Sequence, residues 1–283
     1  MDGIRYWEVI APMLPLLQKV IWRAVLQTRR LGLLLYGAVG IYGYFFTNRQ
    51  LFPVPPVGYD AEEPNLITLN PEPGITLRAV HKTHPEAPYT LLYSHGNGTD
   101  LGYMRASINH WHRMGLNVLA YDYRGYGLST GMPSEQGVYQ DVEAAYQYLR
   151  DQGVPGDRII PYGFSLGGGP STYIAATQPV AGLILEATFT SVFRIINRVP
   201  LYPFDKFPNL ERLKTIQVPL LILHGTDDPV IPFSHGQQLA QIHPQRTQFV
   251  AIPGGGHGNL SLVAAEQRQQ ALSEFIQRLE PER

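Results

Sequence analysis

From about residue 65 onward, short apolar runs alternate with longer amphipathic ones, and this alternation limits the fold more than any other feature of the chain. Leu66–Leu69 and Thr76–His81 predict two early strands around a Pro-Gly turn at 73–74. Further strands are expected at Tyr89–Ser94, Asn117–Tyr121, Arg158–Tyr162, Ala181–Leu185, Leu220–Leu223 and Gln248–Ile252. Helices are expected between them at Leu101–Met114, Ser134–Arg150, Ser165–Ala176 and Leu260–Leu279. In the second of these, Val138, Val142, Ala145, Tyr146 and Leu149 keep the 3–4 spacing of one helical face. Ala181–Leu185 and Leu220–Leu223 carry almost no polarity, which suits strands covered on both faces. The pattern predicts an α/β domain with a mostly parallel central sheet and helices on both faces. Residues 187–217 are irregular with scattered bulky apolar side chains, and have room for a minimal lid only.

Composition narrows the function classes. The 283-residue chain is 44% hydrophobic and 16% charged, as a folded globular protein requires. Its net charge of −1 gives no general attraction to nucleic acid. There is no cysteine, so disulfides, Cys-ligated zinc and cysteine nucleophiles are excluded. No HExxH or carboxylate cluster points to a metal, and His110 and His112, two apart on a helix, do not share a face. No cofactor is called for.

The N-terminal fifty residues differ from the rest: they hold six Lys/Arg against two Asp/Glu. Leu31–Phe46 is a sixteen-residue uncharged run, preceded by Arg29 and Arg30. It is read as a hydrophobic membrane-anchor helix within residues 1–50, slightly short of the roughly 30 Å hydrocarbon core. The stretch Val9–Leu26, broken by Pro12, Pro15, Lys19 and Arg23, is read as amphipathic. The basic residues ahead of the run put the N-terminus in the cytoplasm and the catalytic domain on the opposite side, a soluble cytoplasmic protein being the alternative. Residues 51–64, with Pro53, Pro55, Pro56 and Pro64, are expected to form a stiff linker to a catalytic domain at 65–283.

Chemistry concentrates at the ends of the predicted strands. Gly163-Phe164-Ser165-Leu166-Gly167 matches G-x-S-x-G between a strand and a helix, the setting of a nucleophile elbow. A serine hydroxyl needs a base, and His257 stands in a glycine-flanked loop after the last strand. The base needs an acid to fix its tautomer. Asp228, in His224-Gly225-Thr226-Asp227-Asp228-Pro229, is preferred, with Asp227 as local rival and Glu186 as distant rival. The order Ser165, Asp228, His257 is that of α/β-hydrolases. The backbone N–H groups of Leu166 and Asn97 are the expected oxyanion donors, with Gly96 and Gly98 allowing close approach. Asp122 and Arg124 are read as a structural pair.

The set SHGNG (94–98), DYRGYGLSTG (122–131), GFSLGG (163–168), HGTDD (224–228) and GGGHGN (254–259) resembles the α/β-hydrolase superfamily over residues 65–280. Within it the chain is most similar to the bud-emergence-type subfamily, which includes serine hydrolases anchored by an N-terminal transmembrane helix. The resemblance implies the α/β-hydrolase fold, Ser165 as nucleophile, Asp228 as acid and His257 as base. It also implies hydrolysis of esters or thioesters, with lipids or acylated proteins as substrates of related members. A serine peptidase or an acyltransferase would use the same three side chains. A non-catalytic membrane-tethered binding protein is the rival of another class.

Overall fold

The computed structural model describes residues 13–45, 48–63, 65–196 and 204–279. It divides into two compact units, Met1–Thr47 and Asn48–Arg283. In the first, α1 spans Leu14–Phe45. Among the described residues, no helix is long and apolar enough to cross a membrane. The expected single-pass topology is therefore overturned, together with the membrane as partner and the placement of a catalytic domain across it. The reason lies in the sequence of α1. Its uncharged part runs only from Leu31 to Phe45, about 22 Å of helix. Any longer window takes in Arg30 and then Arg29, while glycines and tyrosines dilute the apolar content. Phe46, the last residue of the uncharged run, lies outside the described residues.

The second unit is built on eight strands. They are β1 Leu66–Glu72, β2 Ile75–Lys82, β3 Thr90–Ser94, β4 Asn117–Tyr121, β5 Ile159–Phe164, β6 Leu183–Glu186, β7 Leu220–Gly225 and β8 Thr247–Ile252. Their order in the sheet is β1-β2-β4-β3-β5-β6-β7-β8. Among the described residues, the β1–β2 and β2–β4 pairs are antiparallel, and from β4 to β8 the strands run parallel. Strands β3, β6 and β7 are buried along their whole length, which explains why their sequences show no alternation.

Helices α2 Leu101–Arg113, α3 Glu135–Asp151 and α4 Gly168–Thr177 follow β3, β4 and β5. Asp100 caps α2 by accepting from the N–H groups of Gly102 and Tyr103. Ser134 caps α3 by accepting from Gly137 N–H, so the helix starts there without a capping-box partner. After β6 come the short helices α5 Val192–Ile196 and α6 Asn209–Leu213, which frame the expected lid region. Its residues 197–203 lie outside the described ones. Helix α7 Ser234–Ala240 precedes β8. The expected terminal helix is interrupted at Ala264, giving α8 Leu260–Val263 and α9 Ala265–Leu279.

Two apolar layers fill the space on either side of the sheet. One gathers α3, α4 and the first strands around Tyr121, Tyr123, Val142 and Leu149. The other gathers α2 and α9 around Tyr93, Trp111, Tyr162 and Phe275. Inside the second layer Arg268 of α9 donates to both carboxylate oxygens of Glu186 and, at 2.7 Å, to the hydroxyl of Tyr162, which donates in turn to Glu186. This pair settles the fate of Glu186, whose charge is matched inside the core. Residues 51–59, part of the expected 51–64 linker, belong to the second unit and pack within it. Phe52 packs edge-on against Phe207, Gly58 N–H donates to Asp100, and Tyr59 OH donates to Asp122 at 2.6 Å.

Because Arg268 and Glu186 are 8% and 6% exposed, removing one member leaves the other charge stranded. Arg268→Met is expected to lower unfolding free energy by about 3–5 kcal/mol, measured by urea denaturation. A change below about 1 kcal/mol would mean that water reaches this pair.

Candidate active site

The carboxyl ends of the parallel strands gather the chemistry. Strand β5 turns into α4 through a single 3-10 turn at Ser165–Gly167. Ser165 has φ +51°, a left-handed backbone that a side chain rarely adopts. The turn is held by crowding. A Cβ on Gly163 would stand 2.3 Å from the Gly167 carbonyl oxygen, and one on Gly167 would stand 1.9 Å from that of Ser94. Only hydrogen fits at either position. Thr188, just after β6, donates its hydroxyl to the Ser165 carbonyl at 2.7 Å and pins the turn from the other side.

The turn points the Ser165 hydroxyl at His257, with 2.9 Å between Oγ and Nε2. His257 Nδ1 lies 2.8 Å from Asp228 Oδ2. Asp228 is fixed through its other oxygen, which accepts from the N–H groups of Val230 and Ile231, each at 2.8 Å. Burial alone would push the Asp228 carboxyl up. The hydrogen bonds from His257, Ile231 and Val230 outweigh it and hold the carboxyl below the ordinary carboxylate value. An ionised carboxylate only accepts, so Nδ1 of His257 carries a proton and Nε2 presents its lone pair to the serine O–H. The imidazole keeps limited contact with solvent, 19% of its side chain, under the Phe164 ring at 5.3 Å.

The loops that carry Asp228 and His257 are stitched together. Thr226 N–H donates to Ile252, Asp227 N–H donates to Gly255 at 3.0 Å, and Gly254 N–H donates to the Thr226 hydroxyl. Asn259 accepts from Gly256 N–H at 2.7 Å and closes the turn before the histidine. The side chain of Asp227 is exposed and accepts only from Thr226 among the described contacts, so it does not share the position of Asp228. Glu186 faces Arg268 and Tyr162. Of the three carboxylates weighed from sequence, the structure brings Asp228 to the imidazole.

The loop after β3 passes beside the serine. A Cβ on Gly96 would meet the Phe164 ring at 2.7 Å and Cβ of Ser165 at 3.4 Å, so the loop that holds Asn97 passes close to Ser165, while Leu166 sits in the 3-10 turn that Ser165 opens. Tyr123 OH donates to the His95 carbonyl at 2.6 Å and Thr99 OH to that of Gly96 at 3.0 Å. Asp122 and Arg124 do not pair with each other, contrary to expectation. Asp122 accepts from Tyr59 OH and Leu101 N–H, while Arg124 binds Asp141 and Glu72. The β4 loop turns between them, and each finds the partner that its own neighbouring element supplies.

Sequence reasoning also missed His224, Thr188 and Asn259. His224 is buried, donates Nε2–H to the Ile231 carbonyl at 2.9 Å, and has its ring packed where Gly236 leaves space. It supports the strand of backbone that presents two N–H groups to Asp228. His235 accepts at Nδ1 from Thr190 N–H at 3.2 Å. It lines a cavity of about 460 Å³ with Thr190, Arg194, Pro232 and Ser234, next to the acid loop. Only the position of His224 in the HGTDD run could have signalled its role.

Burial lowers the pKa of both His224 and His235 below the ordinary histidine value. The unfolded chain then takes up protons first on acidification. Stability from these groups is complete above about pH 6.5 and is lost as pH falls toward their depressed folded values. Asp228, also depressed, adds a loss of the same sign below about pH 4. The two histidines therefore pull the urea midpoint down between pH 7.5 and pH 5, while Asp141, pushed up to about 6 by burial, acts in the opposite sense; a His224→Phe, His235→Phe variant with the wild-type pH dependence would contradict this reading of both histidines.

Comparison with known proteins places this geometry in context. Residues 85–203 match the family described as serine aminopeptidase, S33. The human alpha/beta hydrolase domain-containing protein 17B is 40% identical over 196 residues, which are 68% of this chain and 67% of that protein. The Caenorhabditis elegans alpha/beta hydrolase domain-containing protein aho-3 is 40% identical over 185 residues. They are 64% of this chain and 56% of that one, so the chain spans little more than half of its length. Among solved structures, the Pyrococcus furiosus esterase Pf2001 superposes with a TM-score of 0.66 at 20% identity, covering 80% of this chain and 98% of the esterase. The esterase RhEst1 from Rhodococcus sp. superposes at 0.63 and 21% identity, covering 76% of this chain and all of that enzyme. These matches do not confirm the narrower bud-emergence-type resemblance.

Proposed function

The chain belongs to the α/β-hydrolase superfamily, and on that premise we propose that it is a serine hydrolase cleaving carboxylic esters or thioesters through an acyl-enzyme intermediate. The observation that carries this reading is the unbroken line from Asp228 through His257 to Ser165, with hydrogen-bond distances of 2.8 and 2.9 Å. The catalytic unit in this reading is the second compact unit, the expected 65–283 domain together with the docked segment before β1.

In this mechanism Ser165 Oγ attacks the acyl carbonyl carbon as His257 Nε2 takes the hydroxyl proton. Asp228 stabilises the resulting imidazolium and keeps its Nδ1–H oriented. The carbonyl oxygen becomes an oxyanion facing the N–H groups of Asn97 and Leu166, and the N-terminal end of α4 favours that negative charge. Collapse expels the alcohol or thiol, which receives the proton from His257. Water then repeats the sequence on the acyl-serine and returns the free acid. The left-handed serine backbone presents the hydroxyl at the top of the sheet without first reorganising the turn.

Peptide cleavage is the second reading, favoured by the description of the matched family. The same three side chains would serve it, so the leaving group has to be found by assay. A panel of esters, thioesters and peptide amides of graded chain length separates the two. Turnover confined to amides would displace the ester reading.

Ser165→Ala is expected to abolish both turnover and labelling by a fluorophosphonate probe. Asp228→Asn should lower kcat by on the order of 10³–10⁴, since the imidazole then loses its fixed tautomer. Asp227→Asn should stay within about twofold, because its exposed side chain stands apart from the imidazole. Equal losses for the two asparagine variants, from steady-state kinetics, would count against Asp228 as the acid.

A further inference from the structure

The loop that offers the Asn97 amide has glycine on both sides. Gly98 is left-handed at φ +68°, and Gly96 has no room for a side chain. Glycine backbone is permissive, so it does not by itself fix the direction of the intervening N–H group. The Asn97 side chain, however, is held at both ends. Its Oδ1 accepts from the hydroxyl of Tyr126 at 2.9 Å, and its Nδ2 donates to the carbonyl of Leu51. Tyr126 is buried, and burial keeps its phenol protonated far above neutrality, so it remains a donor across the working range of pH. Its ring stands edge-on to Tyr123, whose hydroxyl in turn holds the His95 carbonyl two residues before Asn97. Leu51 belongs to the segment that also docks through Phe52 and Tyr59. Two elements remote in sequence, one before β1 and one after β4, thus converge on one carboxamide.

We propose that Tyr126 and the Leu51 carbonyl clamp the Asn97 side chain so that its backbone N–H points at the developing oxyanion, making Tyr126 a positioning residue for catalysis. The inference rests on the serine-hydrolase reading above and adds to it a source of preorganisation outside the reacting groups. Its physical basis is that a donor aligned before the reaction stabilises the transition state more than one that must first be ordered. Misplacement of about 1 Å can cost on the order of a hundredfold in rate. A ground-state ester makes less use of that donor than the tetrahedral species does, so the loss should fall on kcat rather than on KM.

The test uses the full chain and a short-chain p-nitrophenyl ester. Tyr126→Phe removes one hydroxyl and keeps the ring. Its expected effect is a fall in kcat of roughly ten- to a hundredfold with KM within about twofold. Affinity for an aryl trifluoromethyl ketone, which forms a tetrahedral oxyanion on the serine, should weaken by a similar factor. In an Asn97→Ala background the backbone N–H remains but the clamped group is gone, so Tyr126→Phe should there change kcat by less than about twofold. The same fold loss in both backgrounds would assign Tyr126 a general structural role and overturn the proposal. So would a Tyr126→Phe enzyme with unaltered kcat and ketone affinity. If wild-type chain neither turns over esters nor is labelled at Ser165 by the fluorophosphonate probe, the serine-hydrolase reading fails and this inference with it. Labelled, active wild type with an indifferent Tyr126→Phe variant overturns the clamp alone.

Discussion

Everything at the candidate site depends on a backbone that could not close if two hydrogens were replaced by methyl groups. Gly163 and Gly167 lie against carbonyl oxygens at separations that exclude a Cβ, and this crowding holds Ser165 in a left-handed conformation at the end of β5. The turn is paid for by its surroundings: Thr188 holds the serine carbonyl, and β5 pairs with β3 on one side and β6 on the other. A parallel sheet is well suited to the task, because its strands are locked on both edges and end together at one rim. Strain at one residue is then tolerated because the neighbours that impose it are themselves immobile.

Electrostatics at the rim follow from the same rigidity. The Asp228 carboxylate has one oxygen on two backbone N–H groups and the other on the imidazole, so its charge is stabilised although it is buried. The turn that provides those N–H groups is braced by a neutral histidine, His224, bonded to the Ile231 carbonyl. Neutrality there suits the arrangement, since a second positive charge beside His257 would compete for the same carboxylate. The Asp228 and His257 loops are then joined main chain to main chain through Asp227 and Gly255. The Asp228 and His257 loops are therefore tied directly to each other.

Much of this was legible in the sequence, for identifiable reasons. Buried parallel strands such as Leu220–Leu223 are continuous apolar runs, so their existence could be read directly, and their ends were placed within a few residues. The G-x-S-x-G run, the aspartate pair and the glycine-flanked histidine held the three side chains that lie within hydrogen-bond reach of one another. The choice among Asp227, Asp228 and Glu186 depends on where side chains point, and local pattern does not encode that. Arg268, the partner of Glu186, is 82 residues away in the chain. Arg124 was matched with the nearest carboxylate in sequence, whereas α3 supplies a better placed one in Asp141. The proline-rich segment at 51–59 looked like a spacer because prolines give extension and say nothing about docking. For α1, a run of uncharged residues suggested a span, but arginines and glycines kept its apolar length below what a bilayer core requires.

The pairing of Glu186 with Arg268 has a consequence for how the chain is made. A ribosome adding about 5–20 residues per second delivers the carboxylate several seconds before its guanidinium. During that interval β6 cannot settle into its apolar layer with an ionised glutamate and no counter-charge. Ser165 likewise waits 92 residues for His257. Birth of the molecule is therefore vectorial but its completion is late, and the half-made domain has neither a finished interior nor the contact between Ser165 and His257.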